Sequence, residues 1–208
     1  MPSQDYHEAI WKALPAGLEP ADFRLRRSFL LDRLGGAKRV LDVGCGEGRF
    51  AAELARAGAS VVAVDVAEEP LRRARSSHPD LDFRLVPADG PWELEDSSFD
   101  LAWAGEVIEH VADTAAWLSE LRRVLRSGGV LLLSTPAQGL LTRLRLALDG
   151  RAFAARFDPL SDHLRFYSAT TLRRLLEEFG FEQVSVRAAG GPPGARRLLL
   201  ARAVRSRY

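Results

Sequence analysis

The stretch VLDVGCGEGRF, residues 40–50, decides the fold. An apolar run ends in Gly44, Gly46 and Gly48, spaced by single residues, and Phe50, Leu54 and Ala57 then recur at helical spacing. This pattern reads as a parallel strand, a tight turn and a helix N-terminus. Residues without a Cβ let a ligand approach the backbone, and the helix start offers unpaired N–H groups and a positive dipole end. The next apolar run ends at Asp65, about twenty residues beyond Gly44, where a nucleotide-binding α/β pocket sets an acid against ribose hydroxyls. Two adjacent strand ends therefore face one nucleoside.

Outward from this turn the chain alternates. Helical patterns cover residues 50–57 and 68–77, strand patterns 61–65 and 81–86, and a polar stretch at 87–98 precedes a fourth strand at 99–104. A helix at 114–125 and the turn Ser127-Gly-Gly129 lead into the most apolar strand, 130–134. Such alternation predicts a mostly parallel sheet covered on both faces, with right-handed crossovers. Upstream, residues 5–14 form a helix opened by Asp5 with Glu8 three positions on, and Tyr6 and Trp11 on it either close over a pocket or pack. A second helix spans 21–34, and Gly35-Gly36 stops it. Downstream, residues 138–167 interrupt the alternation with a Leu/Arg helix at 140–148 and a run of aromatic residues, the composition and place of a substrate lid. Ser168 caps a helix to residue 178, and strands 181–188 and 196–204 are joined by GGPPG, too short for a crossover helix. That pair is expected to be an antiparallel hairpin.

Composition bounds the function. The 208 residues suffice for one domain with a full core, read as residues 1–208 with N-terminal helices in 1–34. The 29 basic and 28 acidic residues nearly cancel, so no nucleic-acid partner is expected. Cys45 is the single cysteine, which excludes an internal disulfide and suggests a reducing compartment. No apolar run approaches the ~20 residues that span a bilayer, and no leader pattern opens the chain, so a soluble, cytoplasmic protein is expected.

The blocks VLDVGCGEG (40–48), Val64-Asp65, ADG (88–90), Phe99-Asp100, EVIEHV (106–111), VLRSGG (124–129) and HLRFYS (163–168) follow one another in the order found in class I S-adenosylmethionine-dependent methyltransferases. The chain resembles the small-molecule branch of that family, which includes ubiquinone-pathway O-methyltransferases. A dehydrogenase pocket would continue the turn as Gly-x-Gly-x-x-Gly, whereas Arg49 follows Gly48 here. The resemblance implies a Rossmann-like αβα sandwich, a seven-stranded sheet of order 3-2-1-4-5-7-6 with strand 7 antiparallel, and S-adenosylmethionine as cofactor with S-adenosylhomocysteine as product. It places Asp42, Gly44, Cys45 and Gly46 round the methionine part, Asp65 and Val66 at the ribose, Asp89 and Gly90 at the adenine, Gly105 by the amino-acid end, and Arg27 against its carboxylate. Alanine at 65 is expected to remove cofactor binding and spare the fold.

Methyl transfer from a sulfonium is an in-line displacement, so the protein chiefly aligns reactants and excludes water. A hydroxyl nucleophile still needs a base or a metal ion. His110 and His163 are the candidate bases. Glu106, Glu109 and His110 stand at i, i+3 and i+4 and share a face if their turn is helical, and with His163 they form a candidate site for a divalent ion such as Mg2+. A small-molecule acceptor is the expected substrate. A small-RNA methyltransferase and a non-catalytic cofactor-binding module are the competing readings.

Overall fold

The structure, a computed structural model, describes residues 3–88 and 90–207. Its strands are β1 (Arg39–Val43), β2 (Ser60–Asp65), β3 (Asp82–Leu85), β4 (Phe99–Gly105), β5 (Leu125–Pro136), β6 (Phe181–Ala189) and β7 (Leu198–Arg205). They form one seven-stranded sheet of order β3-β2-β1-β4-β5-β7-β6, in which β7 runs antiparallel to both neighbours. Helices α1 (Ser3–Ala13) and α2 (Phe23–Leu31) precede the sheet, and α3 (Arg49–Arg56), α4 (Glu68–Ser77) and α5 (Thr114–Val124) form its crossovers. Then come α6 (Leu140–Leu148), α7 (Gly150–Arg156) and α8 (Ala169–Glu178).

Central strands are apolar on both sides because helices cover both faces. On one face Leu41, Val43, Ala102 and Leu133 pack with Trp117, Leu118 and Leu121 of α5 and Leu172 and Leu176 of α8. On the other, Val40, Leu101 and Trp103 pack with Phe29 and Leu30 of α2, Phe50 and Leu54 of α3 and Leu71 of α4. Leu54 and Trp103 are fully buried. Burial of side chains this large contributes about 1.5–3 kcal/mol each, so the helices are held by their apolar stripes more than by propensity.

Helix ends follow local chemistry. The Asp113 carboxylate accepts from the Ala116 N–H at the start of α5, and Ser168 and Thr171 form a reciprocal box at the start of α8. Two elements depart from the sequence reading. The turn expected at Ser127–Gly129 lies inside β5, where Leu125 pairs with Phe99 and Val130 with Leu101, so residues 126–129 bulge out of the ladder. The lid carries a second helix, α7, opened by the Asp149 side chain accepting from the N–H groups of Arg151 and Ala152. Neither α6 nor α7 buries a residue, and Leu148, Phe153 and Phe157 stand exposed. No helix among the described residues is long and apolar enough to cross a membrane.

Candidate active site

The carboxyl ends of β1, β2 and β4 open on a cavity of about 260 Å³ lined by Val43, Gly44, Val64, Asp65, Val66, Glu106 and Val107. A parallel sheet delivers ligands to this end, where strand order reverses between β1 and β4. The N–H groups of Gly44 and Cys45 both donate to the Val64 carbonyl, at 2.8 and 3.0 Å, which folds the glycine turn against β2. Gly44 has φ +66°, and a Cβ there would stand 2.4 Å from Val107 Cγ2. Glycine is required both by the backbone and by the space.

Asp65 braces this turn. Its Oδ2 accepts from the Gly46 N–H at 2.9 Å and its Oδ1 from the Ala67 N–H at 3.0 Å. A carboxylate offers about four acceptor positions, so two stay available to ligand hydroxyls. Burial raises the Asp65 pKa against the lowering effect of these bonds. Asp42, below the turn, is pushed up to about 8 by burial first and by Asp65 second, and its Oδ2 has no partner among the described residues. An orphaned buried acid beneath left-handed glycines suits a ligand that brings a positive charge. Cys45 is buried with its thiol pKa pushed well up, so it packs as an apolar residue.

Helix α1 covers the mouth. Trp11 lies against Gly46, where an added Cβ would approach its ring to 3.0 Å, and His7, Ile10, Trp11 and Leu14 line the cavity. Arg73 holds this helix from α4 through the carbonyls of Trp11 and Leu14, at 3.0 and 3.1 Å. The far wall is Trp92 and Trp117. Asp89 lies outside the described residues; its neighbours Pro87 and Ala88 line the cavity. Gly90, at φ +86°, turns the loop against Glu120.

The resemblance sets Arg27 against the cofactor carboxylate, and in the structure its neighbour Arg26 is the one that turns inward. Arg27 points outward and pairs with Glu53, whereas Arg26 is buried, stacked 4.9 Å over Phe50 and pressed against Gly105, where a Cβ would meet its Nη2 at 2.3 Å. The phase of α2 explains the difference: Phe23, Arg26 and Leu30 share its inward stripe. Burial lowers the Arg26 pKa, and the carboxyl groups of Glu106, Glu109 and Asp42 nearby oppose that shift when ionised.

The turn after β4 is not helical, so Glu106, Glu109 and His110 do not share one helical face. Glu106 adopts φ +59° and accepts from the Ser134 hydroxyl at 2.8 Å. Glu109 is buried, accepts from Thr135 Oγ1 at 2.9 Å, and is pushed up to about 8 by burial and by Glu106. His110 and His163 join Glu109, with one ligand atom from each within 4.8 Å of the others, and Glu106 is not part of this trio. His110 Nδ1 lies 2.9 Å from the Asp162 carbonyl. A carbonyl only accepts, so Nδ1 carries the hydrogen and the neutral ring keeps its lone pair on Nε2, 4.0 Å from Glu109 Oε1. Burial holds the pKa values of His110, His163 and His7 below the ordinary imidazole range.

Aromatic contacts then run from lid to cover. Phe157 meets Phe166 at 4.9 Å, His110 meets His163 at 4.8 Å, and His7 meets His110 at 6.0 Å. The Tyr6 hydroxyl donates to the Leu160 carbonyl at 3.1 Å, tying α1 to the lid. His7 was not singled out from the sequence. Its signal was faint: an imidazole on an N-terminal helix, in a chain with four histidines.

A doubly wound sheet of this order, with a glycine turn and an acid at adjoining strand ends, defines the class I S-adenosylmethionine-dependent methyltransferase architecture. The chain belongs to the methyltransferase domain family, which residues 17–186 match. The ubiquinone biosynthesis O-methyltransferase of Dinoroseobacter shibae is 35% identical over 152 residues, covering 70% of this chain and 60% of that relative. The enzyme of the same name from Hahella chejuensis is 40% identical over 116 residues, covering 53% and 49%. The match therefore spans less than two thirds of either relative. Among solved structures, an S-adenosylmethionine-dependent methyltransferase from Mesorhizobium loti has TM-score 0.66 at 24% identity, covering 89% of this chain and 98% of its own. Phosphoethanolamine N-methyltransferase 2 of Haemonchus contortus, in complex with S-adenosyl-L-methionine, has TM-score 0.70 at 17% identity, covering 99% and 57%. At such identities these two bear on the fold alone.

Proposed function

We propose that this chain transfers a methyl group from S-adenosylmethionine to an oxygen of a small molecule. The observation that carries the reading is adjacency: Gly44 and Asp65 line the same cavity as His110, a neutral imidazole held in one tautomer. The names of the curated relatives, O-methyltransferases, support oxygen as the target. When bound, the cofactor supplies an electrophilic methyl on a positively charged sulfur. The chain supplies alignment and a proton acceptor.

In this reading Asp65 takes the ribose hydroxyls on its two remaining acceptor positions, and Val66 and Ala88 flank the nucleoside. Asp42 faces the ammonium group from below the turn, and Arg26, behind Gly105, takes the carboxylate in place of Arg27. His110 Nε2 accepts the acceptor hydroxyl's proton, and the Asp162 carbonyl keeps Nδ1 protonated throughout. The walls of Trp11, Trp92 and Trp117 exclude water.

The convergence of Glu109, His110 and His163 favours a second reading of the same reaction, in which they hold a divalent cation such as Mg2+ against the acceptor oxygen. Formation of S-adenosylhomocysteine over a panel of hydroxylated aromatic acceptors tests both. Turnover that falls ~10²–10⁴-fold in His110→Gln and survives EDTA supports the base; loss with EDTA and recovery with Mg2+ supports the metal. Cofactor binding without turnover over the whole panel overturns the enzyme reading in favour of a binding module.

A further inference from the structure

A second cavity, of about 360 Å³, lies away from the candidate active site, between the outer face of α3, the end of α4 and the connection after α1. Arg49, Glu53 and Arg56 line it from α3, Arg73, Ser77 and His78 from α4 and its end, and Glu47 and Gly17 from the turns. It has an excess of positive charge. Both acids are already engaged. Glu47 accepts from Arg73 at 3.0 Å and from the Gly17 N–H at 2.8 Å, and Glu53 is shared by Arg27 and Arg56. Arg73 is likewise committed, to Glu47, Glu69 and the carbonyls of Trp11 in α1 and Leu14 just after it.

Arg49 differs. Its guanidinium donates to the Gly17 carbonyl at 2.5 Å and forms no ion pair among the described residues. Neither the His78 imidazole nor the Ser77 hydroxyl has a hydrogen-bond partner among them. His78 is held below the ordinary imidazole range by burial and then by the charges of Arg56 and Arg49, with no acid offsetting them. Arg49 is the one arginine of this hollow that no carboxylate compensates among the described residues, and with Arg56, which shares Glu53 with Arg27, it presents the guanidinium donors that recognise an oxyanion.

We propose that this cavity binds a phosphate group, with Arg49 and Arg56 gripping its oxygens and His78 and Ser77 donating to the rest. At about 360 Å³ the space is more than a phosphate group fills, so a phosphate monoester with a sugar-sized remainder fits. The glycine turn also reaches this cavity through Glu47, which stands between Gly46 and Gly48. The site is independent of the methyl-transfer reading.

The test is a titration of the whole chain with inorganic phosphate, ribose 5-phosphate and, as uncharged control, ribose, followed by the imidazole NMR signals and by calorimetry. The chain has four histidines. Saturable binding that moves the His78 signal and spares those of His7, His110 and His163 is expected. Arg49→Gln and His78→Gln, on opposite walls, each weaken it ~10-fold or more, corresponding to about 1.4 kcal/mol; Arg24→Gln, exposed on α2 outside the cavity, leaves it unchanged. Thermal melts establish that each variant is folded. Tighter binding of ribose 5-phosphate than of phosphate assigns the site to a phosphorylated metabolite, and equal binding assigns it to phosphate itself. Absence of saturation, shifts at the other histidines, or affinity unaffected by both wall variants overturns the proposal.

Discussion

Replacing Asp65 separates two jobs that the sequence alone presents as one. The carboxylate accepts two buried N–H groups, from Gly46 at 2.9 Å and Ala67 at 3.0 Å. Asp65→Ala leaves both donors without their acceptor, at about 1–3 kcal/mol each. Relief of the buried carboxylate's desolvation, which raises its pKa, offsets part of that. A net loss of ~2 kcal/mol lowers the melting temperature by roughly 4–8 °C for a chain of this size. Alanine at 65 is therefore expected to lower stability as well as to remove cofactor binding. Asp65→Asn keeps the volume and one acceptor oxygen, so it melts between wild type and alanine. It still removes the negative charge and one ligand-facing acceptor, and weakens cofactor binding ~10-fold or more. Differential scanning calorimetry and cofactor titration on the same samples read the two effects separately. An alanine variant melting within ~1 °C of wild type refutes the bracing argument, and an asparagine variant with wild-type affinity removes Asp65 from the ribose site.

Other consequences are as specific. Gly44→Ala meets both φ +66° and a 2.4 Å approach to Val107, so it destabilises by ~1–3 kcal/mol and closes the turn to ligand; an unchanged melt and cofactor affinity would show that the loop rearranges freely. Arg26→Met weakens cofactor binding, whereas Arg27→Met, at an exposed ion pair, changes stability by less than ~1 kcal/mol and affinity hardly at all; the reverse ranking restores Arg27 to the site. Glu109, raised from 4.5 to about 8, keeps in the folded state a proton that the unfolded chain loses, so stability falls as pH rises through that window. Glu109→Gln does not ionise, and its melting temperature declines less between pH ~5 and ~8, by the equivalent of a few kcal/mol. Parallel wild-type and variant curves would contradict the burial of a neutral acid.

The glycine turn, the acid at the adjoining strand end and the alternation of elements were legible because each is a local signal: missing Cβ atoms, an apolar run of fixed length, a capped helix. The C-terminal hairpin was legible from a five-residue connection. What escaped depends on long-range placement. Arg26 and Arg27 are neighbours in sequence, and only the packing of Phe23 and Leu30 against the sheet selects which one turns inward. Glu106 left the Glu109 cluster because a left-handed residue breaks the helical phase assumed for the EVIEH stretch. His7 reached His110 through α1, whose position is set by Arg73 and Glu47 on other elements. The second lid helix, α7, was hidden because it is seven residues long and buries none of them, and its cap, Asp149, was the local signal.

Calorimetric titration of the whole chain with S-adenosylmethionine and S-adenosylhomocysteine, against an NAD control, tests the central claim most directly. One site of micromolar affinity for both sulfur nucleosides, weakened ~10-fold or more in Asp65→Asn and absent for NAD, is the predicted result. A folded sample that binds neither, or that binds NAD instead, would contradict the account.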